Sequence, residues 1–577
     1  VLFVPSAKPG DGIGHLRRSL DLLNAIPGSA LYLEDEVQNR RARAVTSGLR
    51  IPSGRIVNRI DGAWDLIVLD RRATKREELP RFGEHAIILG IDEGGEVREL
   101  LPYLIDTLPL PTGRSKPNLF STGFQSQPAR RRSPDDPETG RALVSFGGED
   151  PGGLTQRMIS ALVDGGHYSA EQLTVVVGPL FSTTVLPEGV RRLDAPPELR
   201  ELLCEYDIVF TSFGLTAYEA VNSGVSAVLY NPSGYHRRLS RIGGFPEVGV
   251  GRVDRGALKR LLSDPSALRE TCSRIAVEPA DSLADHISRL APSGTDACPV
   301  CGNRENPVVG RFSDRSFLRC RGCTMVYEID FSKKRSQYDR SYFFEDYQKQ
   351  YGRTYLEDFE NIRRLSRVRV ASLASVGGRL SGRSLLDVGC AFGPFLLEAR
   401  GSGAEVYGVD ISEEAVEYVR GTLNLPCARS ALEDFDLQTT FGIDRVNILT
   451  MWYVIEHFAD VGRVLAKINS LIHMGGILAF STPNCYGISG RSNLESFLSK
   501  SPYDHFTVWD PRTAETVLKR FGFQVREIRV TGHHPERSPV FGASHGWRYS
   551  LLRRVSEAAK LGDTFECYAV KVSETTK

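Results

Sequence analysis

The sequence predicts a multidomain α/β protein of successive open, mostly parallel-sheet units, with one small cysteine module set between them. Three observations lead there. A chain of 577 residues exceeds what a single hydrophobic core usually supports. Short apolar, strand-like runs alternate with helical patterns through most of its length. Four of the ten cysteines are gathered as two C-x2-C pairs within one short stretch.

Composition narrows the class. The 41% hydrophobic and 25% charged content is that of an ordinary globular protein, and no apolar run approaches the roughly 20 residues of a membrane span. Lys and Arg number 72 against 71 Asp and Glu, so no bulk positive field favours a nucleic-acid partner. Val1–Val4 opens directly into a strand-like run without a basic leader. A cytoplasmic location is the expectation, with the missing initiator Met leaving room for residues upstream.

Read in order, the first block covers residues 1–130, with strands near Val1–Pro5, Asp65–Asp70 and His85–Asp92. The polar stretch Ser126–Arg141 marks a boundary. A second block, 140–290, has strands near Arg141–Phe146, Leu173–Val177, Asp207–Thr211 and Ala227–Tyr230. A break at Ala291–Ala297 precedes a small module at 297–328, a helical connector at 329–375 and a last domain at 376–577.

Val1–Pro5 runs into a glycine-rich loop and then a helix starting near His15, with Leu16, Leu20, Leu23 and Ile26 on its buried face. His15 closes a Gly12-x-Gly14-His pattern and is a candidate general base at the mouth of a cleft; capping its helix or binding phosphate is the alternative. In the second block Gly147 and Gly148 follow a strand, and Ser212, Gly214 and Thr216 stand at a helix start. Such an N-terminus offers unpaired N–H groups and a dipole to a diphosphate. Glu219 is a candidate for a nucleotide ribose, or, as a first-turn acid, a complement to the helix dipole.

Cys298, Cys301, Cys320 and Cys323 are two knuckles separated by 18 residues. Four thiolates so arranged can close a tetrahedron around Zn2+ and fold a piece too small to build its own core. Two disulfides are the competing pairing, disfavoured in a reducing compartment.

Ser384–Val388 reads as a buried strand, followed by a turn of small residues and a helix over Phe395–Arg400. Gly389, Ala391 and Gly393 let backbone approach a nucleoside ligand closely, and Asp387, in the strand before them, is a further candidate for cofactor binding. A second strand, Glu405–Asp410, places an acid 21 positions after Gly389, where a carboxylate can accept the ribose hydroxyl protons.

Together, Ser384–Phe395, Ser430–Asp434, Val454–Phe458 and Gly475–Asn484 make the segment from about Cys298 to Val572 resemble the zinc-ribbon-bearing, small-molecule class I methyltransferases of bacterial sugar and glycan gene sets. The resemblance implies S-adenosylmethionine as cofactor, structural Zn2+, adenine contacts at Glu433 and Asp434, and a closing antiparallel strand at Thr564–Val572. Methyl transfer needs alignment first and a base only for a weakly acidic acceptor. His457, after the fourth strand, and His505, in Ser501–Phe506, are the candidates for that base; orienting a loop is the alternative for each. His473 reads as a helix-end residue.

The glycine segments of the first half resemble the two-Rossmann GT-B architecture, most closely the nucleotide-sugar hydrolase of pseudaminic acid synthesis and its spore-coat relatives. By that resemblance His15 faces the reacting sugar, while Ser212, Gly214, Thr216 and Glu219 hold the nucleotide diphosphate of a UDP- or CDP-linked sugar. Asp92 and Glu93 stand for the family's acidic pair. The family's Asn-Gln after the next strand is replaced around Gly234–Arg238, which leaves the sugar and the choice between hydrolysis and glycosyl transfer open. Two other readings remain: a catalytically silent sugar-nucleotide module serving the methyltransferase, and a nucleic-acid methyltransferase, against which the balanced charge argues.

Overall fold

A computed structural model describes residues 1–8, 13–45, 54–61, 64–83, 86–111, 115–124, 128–150, 152–181, 185–196, 198–275, 281–292, 296–332, 352, 354–537 and 546–574. The chain divides into two units. The first is Val1–Thr295 with Arg311–Arg315 and Asp330–Ser332; the second is Asp296–Gly310, Ser316–Ile329 and Lys333–Lys577.

The first unit holds two seven-stranded sheets. One comprises β1 (Leu2–Pro5), β2 (Ala30–Tyr32), β3 (Ile56–Val57), β4 (Leu66–Asp70), β5 (Ile87–Ile91), β6 (Tyr103–Asp106) and β7 (Leu119–Phe120), in the order β3-β2-β1-β4-β5-β6-β7. All of its neighbouring strands pair in parallel. The other comprises β8 (Ala142–Val144), β9 (Leu173–Val177), β10 (Arg191–Asp194), β11 (Ile208–Thr211), β12 (Ser226–Asn231), β13 (Glu247–Val250) and β14 (Arg252–Val253). Its order is β10-β9-β8-β11-β12-β13-β14, antiparallel only between β13 and β14. Central strands such as β4 and β11 are buried along their whole length, because helices cover both faces of a parallel sheet.

Those apolar central strands are the ones visible in the sequence. The edges are not: β10 reads RRLD and is largely exposed, while β3 and β7 have two residues each. Such strands carry too little hydrophobic pattern to stand out from a loop.

The polar boundary stretch is not a free tether. Arg132 N donates to Ser223 O at 2.8 Å, and its guanidinium pairs with Asp207 at 2.7 Å. Asp207 also accepts from Thr139 N at 3.0 Å and Gly140 N at 2.6 Å. One acid at the start of β11 thus clamps the segment that enters β8.

Mostly in the second unit, β15 (Val308–Arg311), β16 (Arg315–Arg319) and β17 (Val326–Asp330) form the strands of the cysteine module. Its sheet is completed by β23 (Thr507–Val508), with Val326 opposite Val508. Gly462 N donates to Pro299 O at 3.0 Å, a second tie between the first knuckle and the following domain. The module is therefore joined to that domain by backbone pairing, which a 297–328 boundary does not anticipate. The expected connector lies partly outside the described residues; the helix Phe359–Gly377 runs across its expected end.

The large sheet of this unit contains β18 (Ser384–Val388), β19 (Glu405–Asp410), β20 (Cys427–Arg429), β21 (Val446–Trp452), β22 (Ile472–Pro483), β24 (Phe523–Thr531) and β25 (Thr564–Lys571). Its order is β20-β19-β18-β21-β22-β25-β24, with β25 antiparallel to both neighbours. His473 lies in β22 rather than at a helix end: the helix Val461–Leu471 stops and the strand begins at the next residue. Among the described residues, no helix is long and apolar enough to cross a membrane.

Replacing Asp207 with Ala removes the clamp on 132–140. The variant is expected to be cut in that stretch at least several-fold faster in limited trypsin digestion, with cleavage elsewhere unchanged; an unchanged rate would show that the clamp is dispensable.

Candidate functional site

In an open parallel sheet, ligands bind beyond the carboxyl ends of the strands where the strand order reverses. Each large sheet has one such point: between β1 and β4, between β8 and β11, and between β18 and β21. The predicted site residues gather at all three.

At the first point, His15 stands at the start of the helix Gly14–Ala25, directly after β1, and Asp70 is the last residue of β4. His15 Nδ1 and Asp70 Oδ1 are 2.8 Å apart. Arg18 grips the same carboxylate, Nε to Oδ2 at 2.9 Å and Nη2 to Oδ1 at 2.5 Å, and reaches Asp92 Oδ2 with Nη1 at 2.6 Å. Burial alone would raise the Asp70 pKa, but the charge and hydrogen bonds of Arg18, with those of His15, bring it down to about 2. An ionised Asp70 can only accept, so the neutral imidazole carries its proton on Nδ1 and has Nε2 as its acceptor. His15 is thus oriented by a carboxylate, not used as a helix cap.

The acidic pair after β5 is engaged internally. Asp92 accepts from Thr107 N at 2.6 Å and Leu108 N at 3.0 Å besides Arg18. Glu93 accepts from Thr74 N at 3.1 Å, Thr74 Oγ1 at 2.7 Å and Gly95 N at 2.6 Å. Gly12 lies outside the described residues.

The second point faces the first within the same unit. A Cβ at Gly148 would sit 2.2 Å from Ile13 Cδ1, so only glycine lets these two loops meet; a Cβ at Gly14 would be 3.6 Å from Leu215. Gly147 belongs to the same turn after β8. Ser212, Gly214 and Thr216 lie between β11 and the first turn of the helix Leu215–Asn222. Glu219 is in the second turn, not the first, so it does not complement the dipole there. Burial raises its pKa, while Arg17 and Arg200 oppose that shift. Arg237, in the stretch that replaces the family's Asn-Gln, is paired with Glu247 at 3.0 Å.

At the third point, Asp410, 6% exposed, is a hub for the turn after β18. Its Oδ2 accepts from Ala391 N at 2.8 Å and its Oδ1 from Ser412 N at 2.9 Å. The acid expected to meet a ribose therefore also shapes the glycine turn. Gly389 has φ +70°, and a Cβ there would lie 2.5 Å from Val454 Cγ2. Gly393 caps the helix Pro394–Gly401. Asp387 is buried, accepts from Thr450 Oγ1 at 2.6 Å and ties β18 to β21; burial raises its pKa to about 7. Glu433 and Asp434 are exposed just beyond β20.

Beyond β21 lies the turn Ile455–His457. His457 Nδ1 lies 3.0 Å from Asp504 O and 3.2 Å from Asp504 Oδ2, and the His457 and His505 rings meet edge to face at 4.7 Å. The structure thus brings both predicted histidines together. Sequence reasoning missed Asp70, Arg18, Asp504 and Glu456. Asp70 carried a faint signal, an acid closing an apolar strand.

The four cysteine sulfurs lie within 4.8 Å of one another, with closest pairs Cys298–Cys323 at 3.5 Å and Cys301–Cys320 at 3.4 Å. A disulfide needs about 2.05 Å. A tetrahedron of Zn–S bonds of about 2.3 Å has edges of about 3.8 Å, so the donor set fits such an ion.

Ala391 has φ +46°, a left-handed conformation that costs an L-residue about 1 kcal/mol. Ala391→Gly is expected to leave thermal stability equal or slightly higher and S-adenosylhomocysteine affinity within threefold, read by calorimetry. A marked loss of either would mean that the methyl group is needed.

Comparison with known proteins matches the segment that contains the third point. Residues 355–528 match a family described as "Methyltransferase domain". Similar relatives include the ubiquinone biosynthesis O-methyltransferase of Coxiella burnetii, 29% identical over 170 residues, covering 27% of this chain and 70% of the relative. The enzyme of the same name from Burkholderia cenocepacia is 25% identical over 190 residues, covering 31% of this chain and 80% of the relative. Magnesium protoporphyrin IX methyltransferase from Synechocystis, solved with S-adenosylhomocysteine, aligns at 16% identity and a TM-score of 0.28, over 40% of this chain and 97% of that one. Residues 355–528 are a class I S-adenosylmethionine-dependent methyltransferase domain.

Proposed function

We propose that the protein couples this methyltransferase to a nucleotide-sugar-processing unit, a hydrolase or glycosyltransferase of the GT-B type, and that its methyl acceptor is a hydroxyl of a sugar or other small molecule. The observation that carries the amino-terminal reading is the His15–Asp70 pair at one crevice, opposed by a glycine turn and helix N-terminus at the other. Displacement at an anomeric carbon needs a base for water or an acceptor hydroxyl, and N–H or cationic groups for the departing diphosphate. His15 supplies the base through Nε2. Gly147, Gly148, Ser212, Gly214 and Thr216 supply the diphosphate cradle, with Glu219 nearby on the same helix. Oxygen as the methyl acceptor is favoured because the two ubiquinone biosynthesis relatives named above are O-methyltransferases. S-adenosylmethionine is held by the turn Gly389–Gly393 and by Asp410, with Glu433 and Asp434 on the adenine side. The four cysteines hold a structural Zn2+.

The test incubates the purified chain with a panel of UDP- and CDP-sugars, with and without S-adenosylmethionine, and follows nucleoside diphosphate and S-adenosylhomocysteine by mass spectrometry. Diphosphate release is expected, falling about 100-fold or more in His15→Ala with nucleotide affinity retained. Binding without release in the unaltered chain would favour the silent module. For the metal, Cys298→Ser and treatment with a strong chelator are each expected to release about one zinc per chain and lower the thermal midpoint by several degrees; a metal-free chain of equal stability would refute the ion.

A further inference from the structure

Glu456 is a charge-bearing group that neither the sequence nor the fold explains. It sits in the turn after β21, one residue from His457, and is 1% exposed. Neither carboxylate oxygen makes a well-formed hydrogen bond to a described residue; the Thr482 hydroxyl and the turn's own backbone approach it only loosely. A buried carboxylate left without partners costs stability unless a ligand or a proton satisfies it. The turn lies against the glycine turn after β18: Val454, two residues earlier, fills the space that a Cβ on Gly389 would need. One ligand-capable atom from each of Glu456, His457 and His505 falls within 4.8 Å of the others.

We propose that Glu456 is the proton acceptor for methyl transfer to a hydroxyl oxygen, and that His457, held by Asp504, exchanges that proton with solvent. This deepens the hydroxyl-acceptor reading above and rests on it. As the acceptor oxygen attacks the sulfonium methyl, an O–C bond forms and the C–S bond breaks, leaving neutral S-adenosylhomocysteine. The hydroxyl proton passes to the Glu456 carboxylate, so charge balances across the step. The His457 side chain is 19% exposed, which gives the proton a route that the buried carboxylate lacks.

The electrostatics suit the role. Burial raises the Glu456 pKa to about 7, with His457 and hydrogen bonds opposing the shift and Asp504 adding to it. Burial would lower His457, but its bond to Asp504 and the charges of Glu456 and Asp504 leave it raised. The titratable groups around Glu456 are His457 beside it, Asp504 and His505 from the facing loop, and Tyr453 at the end of β21. A base with a pKa near neutrality is ionised above it and still strong enough to take a hydroxyl proton. The rate should therefore rise with pH through about 7 and level off above it.

The experiment uses the full chain and Glu456→Gln, with catechol as a phenolic acceptor, methyl glucoside and UDP-N-acetylglucosamine as alcohol acceptors, and aniline as an amine control. Methyl transfer is followed by S-adenosylhomocysteine formation, and S-adenosylhomocysteine affinity is measured by calorimetry. The expected result is transfer to a hydroxyl in one arm, the productive arm identifying phenol or sugar. In Glu456→Gln it falls about 100-fold or more in kcat and loses the acidic limb, with S-adenosylhomocysteine affinity within twofold. A variant that keeps both rate and pH limb overturns the proposal. Preferential methylation of aniline, or of no hydroxyl in either arm, overturns it together with the hydroxyl reading. A chain that fails to bind S-adenosylhomocysteine would instead strike at the cofactor site itself.

Discussion

A parallel sheet is laid down only through crossovers, and where their direction reverses, two adjacent strands send their following loops apart and leave a crevice. This constraint acts three times in the chain, at β1/β4, β8/β11 and β18/β21. The chemistry-bearing residues lie beyond those strand ends because there backbone N–H groups, helix starts and short polar side chains are not consumed by the sheet. The apolar strands beneath, such as Leu66–Leu69 and Leu385–Leu386, are almost wholly buried and hold the crevices in fixed register.

The crevices differ in how they use charge. At β1/β4 a compact network of Arg18, Asp70, Asp92 and Thr107 fixes one histidine. Its acids are satisfied, so their burial is compensated. At β18/β21 the acids divide the labour: Asp410 accepts two backbone N–H groups and shapes the turn, whereas Glu456 is buried without such partners. A poorly compensated buried carboxylate beside a glycine turn is the pattern expected of a group kept for chemistry rather than for stability.

The cysteine module shows a different economy. Its three strands share a sheet with β23, and its first knuckle is hydrogen-bonded to Gly462 of the methyltransferase domain.

Local patterns made much of this legible in the sequence. Uniformly apolar runs marked the central strands, glycine turns marked the loops after β1, β8 and β18, and cysteine spacing marked the sulfur cluster, because each is written within a few consecutive residues. Tertiary structure decided the rest. Asp70 is 55 residues from His15, and Asp504 is 47 from His457, so neither partnership has a local signal. Short polar edge strands such as β10 form only because a neighbouring strand is already in place. Glu456 lies within Val454–Phe458 and has no role of its own in the sequence; only packing removes it from water and gives it a pKa near neutrality, since desolvation is a property of the assembled neighbourhood and not of the residue.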